Sequence, residues 1–336
     1  CFVDISGLQA RGLRLVIIEF KTGDAIGRGR RAQADQQLGF VVPAIHITDN
    51  LSLKEREYVV YLRGVEIARW ELRRGCLLAI SSNAVPPNLP GQETREPAFN
   101  AAAKWITPDL QAQAIAGGYA VIDPTSVLAT HIGELVKRNA NELLTRHETK
   151  RLIDRLSDSH PKLVEELVPK LMSLGEVQKV LQQLLREQVS IRDLGTILET
   201  MVEVAATNKH PIALVEAVRH ALGRALIRPL LDERGQLKVV TLDTSIEEEC
   251  VRAANQQPQT LAGGSLQISV ARRVMDGLRG LFGDQVVNAP PVLMCTSPGR
   301  FYLRRLLEPF IPSIVVIAPT EIPPVTPVQS LGLVRG

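Results

Sequence analysis

From about Val127 to Arg228 the apolar residues recur with a helical period almost without a break, while on either side they come in short runs separated by turn residues. One layer cannot satisfy both patterns. A stripe with a period of about 3.6 packs helix on helix, whereas runs of about four to eight apolar residues between turns form strands. At 336 residues, the chain also exceeds one ordinary core and suits about two to four small ones. A multidomain α+β protein is expected.

Before the helical stretch, residues 13–20 (Leu-Arg-Leu-Val-Ile-Ile-Glu-Phe) read as a buried strand and residues 24–38 as a polar helix ended by Gly39. Pro43 to Thr48 reads as a short strand. Tyr58–Leu62 and Val65–Leu72 flank Arg63-Gly64, a hairpin signal, and residues 76–80 add another strand. The polar, Pro-rich stretch from Ser81 to Pro97 reads as an inter-domain crossing or a long surface loop. A small unit follows, with a helix near Pro108, a stop at Gly117-Gly118 and the strand Tyr119–Ile122. Asp123-Pro124-Thr125 then opens a long helix, with a capping side chain followed by proline in the first turn.

Within the helical region Ser173-x-x-Glu176 is a capping box and Ser190-x-x-Asp193 resembles a second. Pro161, Pro169 and Pro211 punctuate the helices. After Asp232-Glu233-Arg234-Gly235 strands alternate with helices: strands at 237–242, 291–294, 314–317 and 328–334, helices from Thr244, at 266–282 and at 298–307. That alternation indicates an α/β unit.

Composition narrows the function. With 39 basic and 36 acidic residues the chain is near neutral, unlike a nucleic-acid binder with its concentrated positive face; no nucleic-acid partner is expected. The basic run Arg28-Gly29-Arg30-Arg31 reads as a solvated helix face. The four cysteines (1, 76, 250, 295) form no C-x-x-C pair, and Cys76 and Cys295 sit in apolar runs where a thiol acts as a small buried hydrophobe. A reducing compartment and no metal site follow. No apolar stretch approaches the ~18 residues of a membrane span. A start at Cys1 rather than Met suggests a piece of something longer, whose membrane part could lie outside it.

Catalytic motifs are not assembled. Gly23-x-x-x-Gly27-x-Gly29 has the wrong spacing for a dinucleotide fingerprint or a P-loop. The six histidines include no H-E-x-x-H, and His131, among apolar neighbours, reads as a hydrogen-bonded structural residue. No G-x-S-x-G occurs. The chain is expected to be no enzyme and to need no cofactor.

Several runs carry a resemblance: residues 42–51 (Val-Pro-Ala-Ile-His-Ile-Thr-Asp-Asn-Leu), 90–99 (Pro-Gly-Gln-Glu-Thr-Arg-Glu-Pro-Ala-Phe), 121–131 (Val-Ile-Asp-Pro-Thr-Ser-Val-Leu-Ala-Thr-His), 161–169, 178–185 and 190–200. Together they resemble the cytoplasmic domain of the FlhA family of export-gate proteins, shared by flagella and virulence injectisomes. The resemblance is strong over about 40–228 and collinear to the end, and the closing runs at 320–324 and 330–334 look flagellar. It implies four subdomains: an α+β first (1–80 and 128–147), an inserted small α/β unit (81–127), an all-helical third (148–228) and a C-terminal α/β unit (229–336).

The resemblance also implies a docking platform at the cytoplasmic face of the bacterial inner membrane, anchored through an N-terminal region outside this chain. It implies a nine-membered ring that meets export chaperones with bound cargo and other export-apparatus proteins, including the export ATPase complex. The chaperone-binding positions it implies are Glu96, Phe99, Ile122, Val127 and Thr130, around an apolar hollow with a carboxylate and a hydroxyl at its rim. The residues alone favour an ordinary inter-domain core for Phe99, Ile122 and Val127; only the resemblance turns the reading towards docking. Ser82, where the family often carries proline, departs from the pattern beside the hollow. Other classes stay open: an injectisome counterpart, an α/β nucleotide-binding enzyme lacking a proper phosphate cradle, and a helical nucleic-acid binder lacking a basic face.

Overall fold

The computed structural model describes residues 16–21, 38–40, 44–49, 53–54, 56–81, 88–256, 264–283, 286 and 290–335. The basic run at 28–31, the glycine-rich turn at 23–29, Ser82 and nearly all of the helix expected at 24–38 lie outside them. The chain divides into two compact units, Cys1–Glu148 and Thr149–Gly336.

The first unit holds two four-stranded sheets. In one, β1 (Val16–Lys21), β2 (Ala44–Asp49), β3 (Glu57–Leu62) and β4 (Val65–Glu71) run in the order β2-β1-β3-β4, with β1 and β3 parallel. Tyr58, Val59, Val60 and Leu62 are buried, as a strand with neighbours on both sides requires. The β3–β4 hairpin turns on Arg63 and Gly64, both with positive φ, 53° and 80°, the pairing that matches a two-residue turn to strand twist.

The other sheet joins β5 (Leu77–Ser81), β6 (Gln92–Arg95), β7 (Ala102–Ile106) and β8 (Tyr119–Ile122) in the antiparallel order β6-β7-β5-β8. Two readings change here. The strand expected at 76–80 hydrogen-bonds into this second sheet, between β7 and β8, and the stretch read as crossing or loop contains the edge strand β6. Polar Gln-Glu-Thr-Arg carries no apolar alternation because an edge strand can leave both its faces wet. One face of the sheet packs Ala79, Leu89, Ile106 and Tyr119 with Ala114 of the short helix α1 (Gln111–Ala116).

Helix α2 (Pro124–Arg138) follows β8 directly. The Asp123 carboxylate accepts from the amides of Thr125 (2.9 Å) and Ser126 (3.0 Å), satisfying amides that the first turn leaves without partners. Val127, Leu128, Ile132, Leu135 and Val136 form its buried stripe.

In the second unit, α3 (Arg146–Ser157, which spans the division), α4 (Pro161–Glu165), α5 (Leu174–Arg186), α6 (Leu194–Ala205), α7 (Pro211–Ala221) and α8 (Gly223–Ile227) make a helical layer. The Ser173–Glu176 box caps α5 as expected. The second box does not form: α6 is capped by Asp193, whose carboxylate accepts from the Thr196 amide at 3.2 Å. Asp193 is one of the strongest capping residues and sits one residue before the apolar face begins.

A parallel sheet completes this unit, with β9 (Leu237–Leu242), β10 (Val292–Met294), β11 (Val315–Ile317) and β12 (Val328–Val334) in the order β11-β10-β9-β12. Helices α9 (Thr244–Gln256), α10 (Gly264–Phe282) and α11 (Gly299–Leu307) accompany it. Val240, Ile246, Val274, Leu278, Leu293 and Leu303 sit in one core. Cys295 is fully buried there, while Cys76 is only partly buried.

Candidate docking site

The loop between β6 and β7 is organised by one carboxylate. Glu96 is 2% exposed, and its two oxygens accept from the amides of Ala98 (2.9 Å) and Phe99 (2.7 Å). Its backbone closes the turn, the amide donating to Ala101 O (2.8 Å) and the carbonyl accepting from Asn100 N (2.9 Å). Asn100 takes a positive φ of 58°, a conformation asparagine tolerates better than most residues. The consequence is a rigid turn that leaves Phe99 52% exposed.

That turn is tied to α2. The Arg138 guanidinium donates to the Ala98 carbonyl, and Arg95 donates to the Asn100 carbonyl at 3.0 Å. From β3, the Tyr58 hydroxyl lies 2.6 Å from Nδ1 of His131 on α2. Burial pushes the Tyr58 pKa up, helped by the Glu96 charge, so the phenol keeps its proton and donates it to His131. Burial also holds His131 down at about 4, with the Arg138 charge adding to the effect; the ring is neutral at pH 7. His131 is the hydrogen-bonded structural residue its neighbours suggest.

The five expected positions therefore come from two tied segments, the 96–101 turn and β8–α2. Phe99 and Thr130 are exposed, and Ile122 is half-buried. The other two are placed differently from expectation. Glu96 is not a rim group, because its carboxylate is consumed by the turn's own amides. Val127, fully buried, belongs to the α2 core. Arg138 and Tyr58 escaped the sequence reading, since their partners lie 40 and 73 residues away and no local pattern marks them. Among the described residues no group of three or more His, Cys, Asp or Glu is placed to hold a metal.

One mixed sheet, one antiparallel sheet, a helical layer and a parallel sheet thus follow one another along the chain. The structure superposes on Chlamydia pneumoniae CdsV with a TM-score of 0.78, 26% identity and coverage of 96% of this chain and 98% of that one; CdsV has also been solved in complex with CdsO. The EscV cytosolic domain of a type III secretion system, solved as a nonamer, gives a TM-score of 0.64 at 23% identity over 96% and 97% of the two chains, a likeness of fold. The chain belongs to the FHIPEP family, which matches residues 22–326. It is 38% identical over 317 residues to the flagellar biosynthesis protein FlhA of Yersinia enterocolitica, covering 93% of this chain and 45% of that protein. The chain thus spans less than half the length of such relatives.

Proposed function

We propose that this chain is the docking platform of a flagellar protein export gate, receiving export chaperones with their cargo on the 96–101 turn and the adjoining β8–α2 surface. The observation that carries the reading is Phe99, a half-exposed aromatic on a turn held rigid by a buried carboxylate. A fixed aromatic anchor loses little side-chain freedom on binding, which is how hot spots gain their affinity. Thr130 supplies the exposed hydroxyl, and half-buried Ile122 the apolar wall. Beneath it Glu96 shapes the turn and Arg138 holds it against α2, while the Tyr58–His131 hydrogen bond ties β3 to the same helix.

Family membership supports the export role, and the 38% identity to a flagellar relative favours a flagellar over an injectisome gate. The CdsV–CdsO complex and the nonameric EscV structure support a ring that also meets other export-apparatus proteins. No helix among the described residues is long and apolar enough to cross a membrane; a membrane anchor in a region outside this chain is part of the proposal, as the resemblance to the family implies. The four-subdomain division and a non-catalytic role are part of the same proposal.

Phe99→Ala tests it. Truncating an anchor aromatic costs about 2 kcal/mol or more of binding, at least about a 30-fold loss of chaperone affinity. Half-exposed as it is, Phe99 should give up far less than the roughly 3–5 kcal/mol of a core phenylalanine. Chaperone affinity and urea midpoint are measured on the same variant, with Thr130→Val as a rim control. Normal affinity, or lost affinity on a strongly destabilised fold, would remove Phe99 from the site.

A further inference from the structure

The parallel sheet of the second unit has two edges, and they are finished differently. At β11 the Val316 carbonyl accepts from Arg219 (3.3 Å) and Arg300 (3.4 Å), so guanidinium groups stand where a further strand would pair. At the other edge β12 pairs with β9 alone among the described residues. The direction of its peptide groups follows from two bonds. The Pro327 carbonyl accepts from the Leu237 amide (2.9 Å) and the Val334 carbonyl from the Asp243 amide (2.8 Å), both towards β9. Peptide groups alternate in direction along a strand, so those of Val328 and Leu333 turn outward.

Free edges are ordinarily blunted by charge. Glu66, Arg69 and Glu71 do this on β4, and Glu93 and Arg95 on β6. β12 lacks that protection: no charged residue occurs from Ile322 to Val334. Nine large apolar side chains are exposed among the described residues, and five of them lie on or beside this strand: Val325, Val328, Leu331, Leu333 and Leu281. They flank both faces of the edge. Val328 and Leu333 pair in register with Leu237 and Thr241, on the face away from α10. Leu281 of α10 overlies Gly332, where an added Cβ would come within 3.0 Å of its side chain. Leu331 has no opposite number on β9, because the register shifts between Ser330 and Gly332.

We propose that β12 is a strand-addition site, where an extended, uncharged segment of another protein with apolar residues at alternate positions pairs as a fifth strand of the sheet. The edge sets the class: a row of outward N–H and C=O groups is completed by another strand, and the side chains beside it select what that strand carries. Neutral apolar flanks suit a segment of the same character and disfavour a charged one. The bulge decides between occupants. It bends the strand and sharpens its twist, which a flexible segment can follow and the rigid sheet edge of a second copy cannot. Seven residues also span only about 23 Å. A second copy paired along that length alone would bury less than the roughly 800 Å² per partner of a stable interface. The site uses none of the residues of the 96–101 turn.

The test uses the full chain and a fluorescein-labelled probe peptide, Lys-Thr-Val-Thr-Val-Thr-Val-Lys, capped at both ends and flanked by lysines for solubility. Its counterpart is N-methylated at every valine and threonine, which keeps the side chains and removes the ladder donors. Anisotropy should show saturable sub-millimolar binding of the probe, and deuterium uptake should fall in residues 325–336. The methylated peptide should bind at least about tenfold more weakly, as the loss of several ladder hydrogen bonds requires. Leu333→Lys, which charges the edge at an exposed position, should weaken the probe at least about tenfold and leave the melting temperature unchanged. Phe310→Ser, which removes an exposed aromatic away from the strand, should leave binding unchanged. The methylated peptide and the exchange pattern decide the matter even where Leu333→Lys fails to fold. The proposal would be overturned by no saturable binding, equal binding of the two peptides, protection confined to other residues, unaltered binding by folded Leu333→Lys, or an equal loss in Phe310→Ser. Self-association of the unaltered chain that Leu333→Lys abolishes would overturn it too, by giving the edge to a second copy.

Discussion

His131 shows how far burial alone can set the chemistry of a side chain. Its pKa in the folded chain is held at about 4, against 6.5 for a free imidazole. The groups facing it are neutral Tyr58 and cationic Arg138, with Glu96 acting on it only through Tyr58. Between pH 6.5 and 4 the unfolded chain therefore binds more protons than the folded one. Stability must fall as the pH drops through that window and recover as it rises. His131→Gln keeps an acceptor for the Tyr58 hydroxyl and removes the titration. Urea midpoints from pH 4 to 7 should slope more steeply for the unaltered chain than for this variant, and parallel slopes would refute a buried neutral imidazole. The thiols obey the same rule. Cys295 has its pKa pushed up, first by its hydrogen bond with Cys250 and then by burial, so little thiolate exists at neutral pH. A maleimide reagent should label half-buried Cys76 well before Cys250 or Cys295, whose labelling should track unfolding; early labelling of either would contradict the packing.

Elements that rest on local rules were legible from the sequence, and those that rest on distant partners were not. The Ser173 box, the Asp123 cap and the Arg63-Gly64 turn all act within about four residues, so their signals sit in one short window. β6 is set by pairing with β7, and β5 by partners on both sides, which no window contains. The 96–101 turn divides the same way. Phe99 could be named by resemblance, but the turn that presents it rests on the amides Glu96 caps and on the bond from Arg138 to the Ala98 carbonyl, forty residues apart. Gly223, the first residue of α8, is a further case, set by a partner about a hundred residues away that no local window contains. A Cβ there would lie 2.3 Å from the Glu321 carbonyl oxygen, a backbone atom that cannot rotate away. Gly223→Ala should thus destabilise the second unit by about 1–3 kcal/mol, as overpacking does, although alanine is the better helix former. A urea midpoint unchanged or raised would mean that α8 does not approach the Glu321 turn this closely.

Across the whole molecule, the second unit is held by a buried charge cluster that joins its two layers. Arg300, fully buried on α11, pairs with Glu187 after α5 and Glu216 on α7, while Arg219 of α7 clasps Glu321 beyond β11. Two guanidinium groups thus serve three carboxylates. Burial alone would raise the Glu187 pKa, yet the Arg300 and Arg219 charges hold it at about 2. Removing one cation leaves Glu187, Glu216 and Glu321 facing a single arginine in a dry interior. Arg300→Met should therefore cost about 3–5 kcal/mol, the penalty of breaking a buried pair from one side. Adding Glu216→Gln should recover part of that loss, because it removes one of the stranded charges. Both tryptophans, Trp70 and Trp105, lie in the first unit, while most of the long helices lie in the second. Each unit carries its own core, so each should unfold on its own account. In urea, Arg300→Met should shift the helical circular-dichroism transition to lower denaturant and leave the tryptophan fluorescence transition in place. A common shift of both signals would show that the charge cluster stabilises the entire chain as one cooperative body; no shift in either would show that the cluster contributes nothing net to folding.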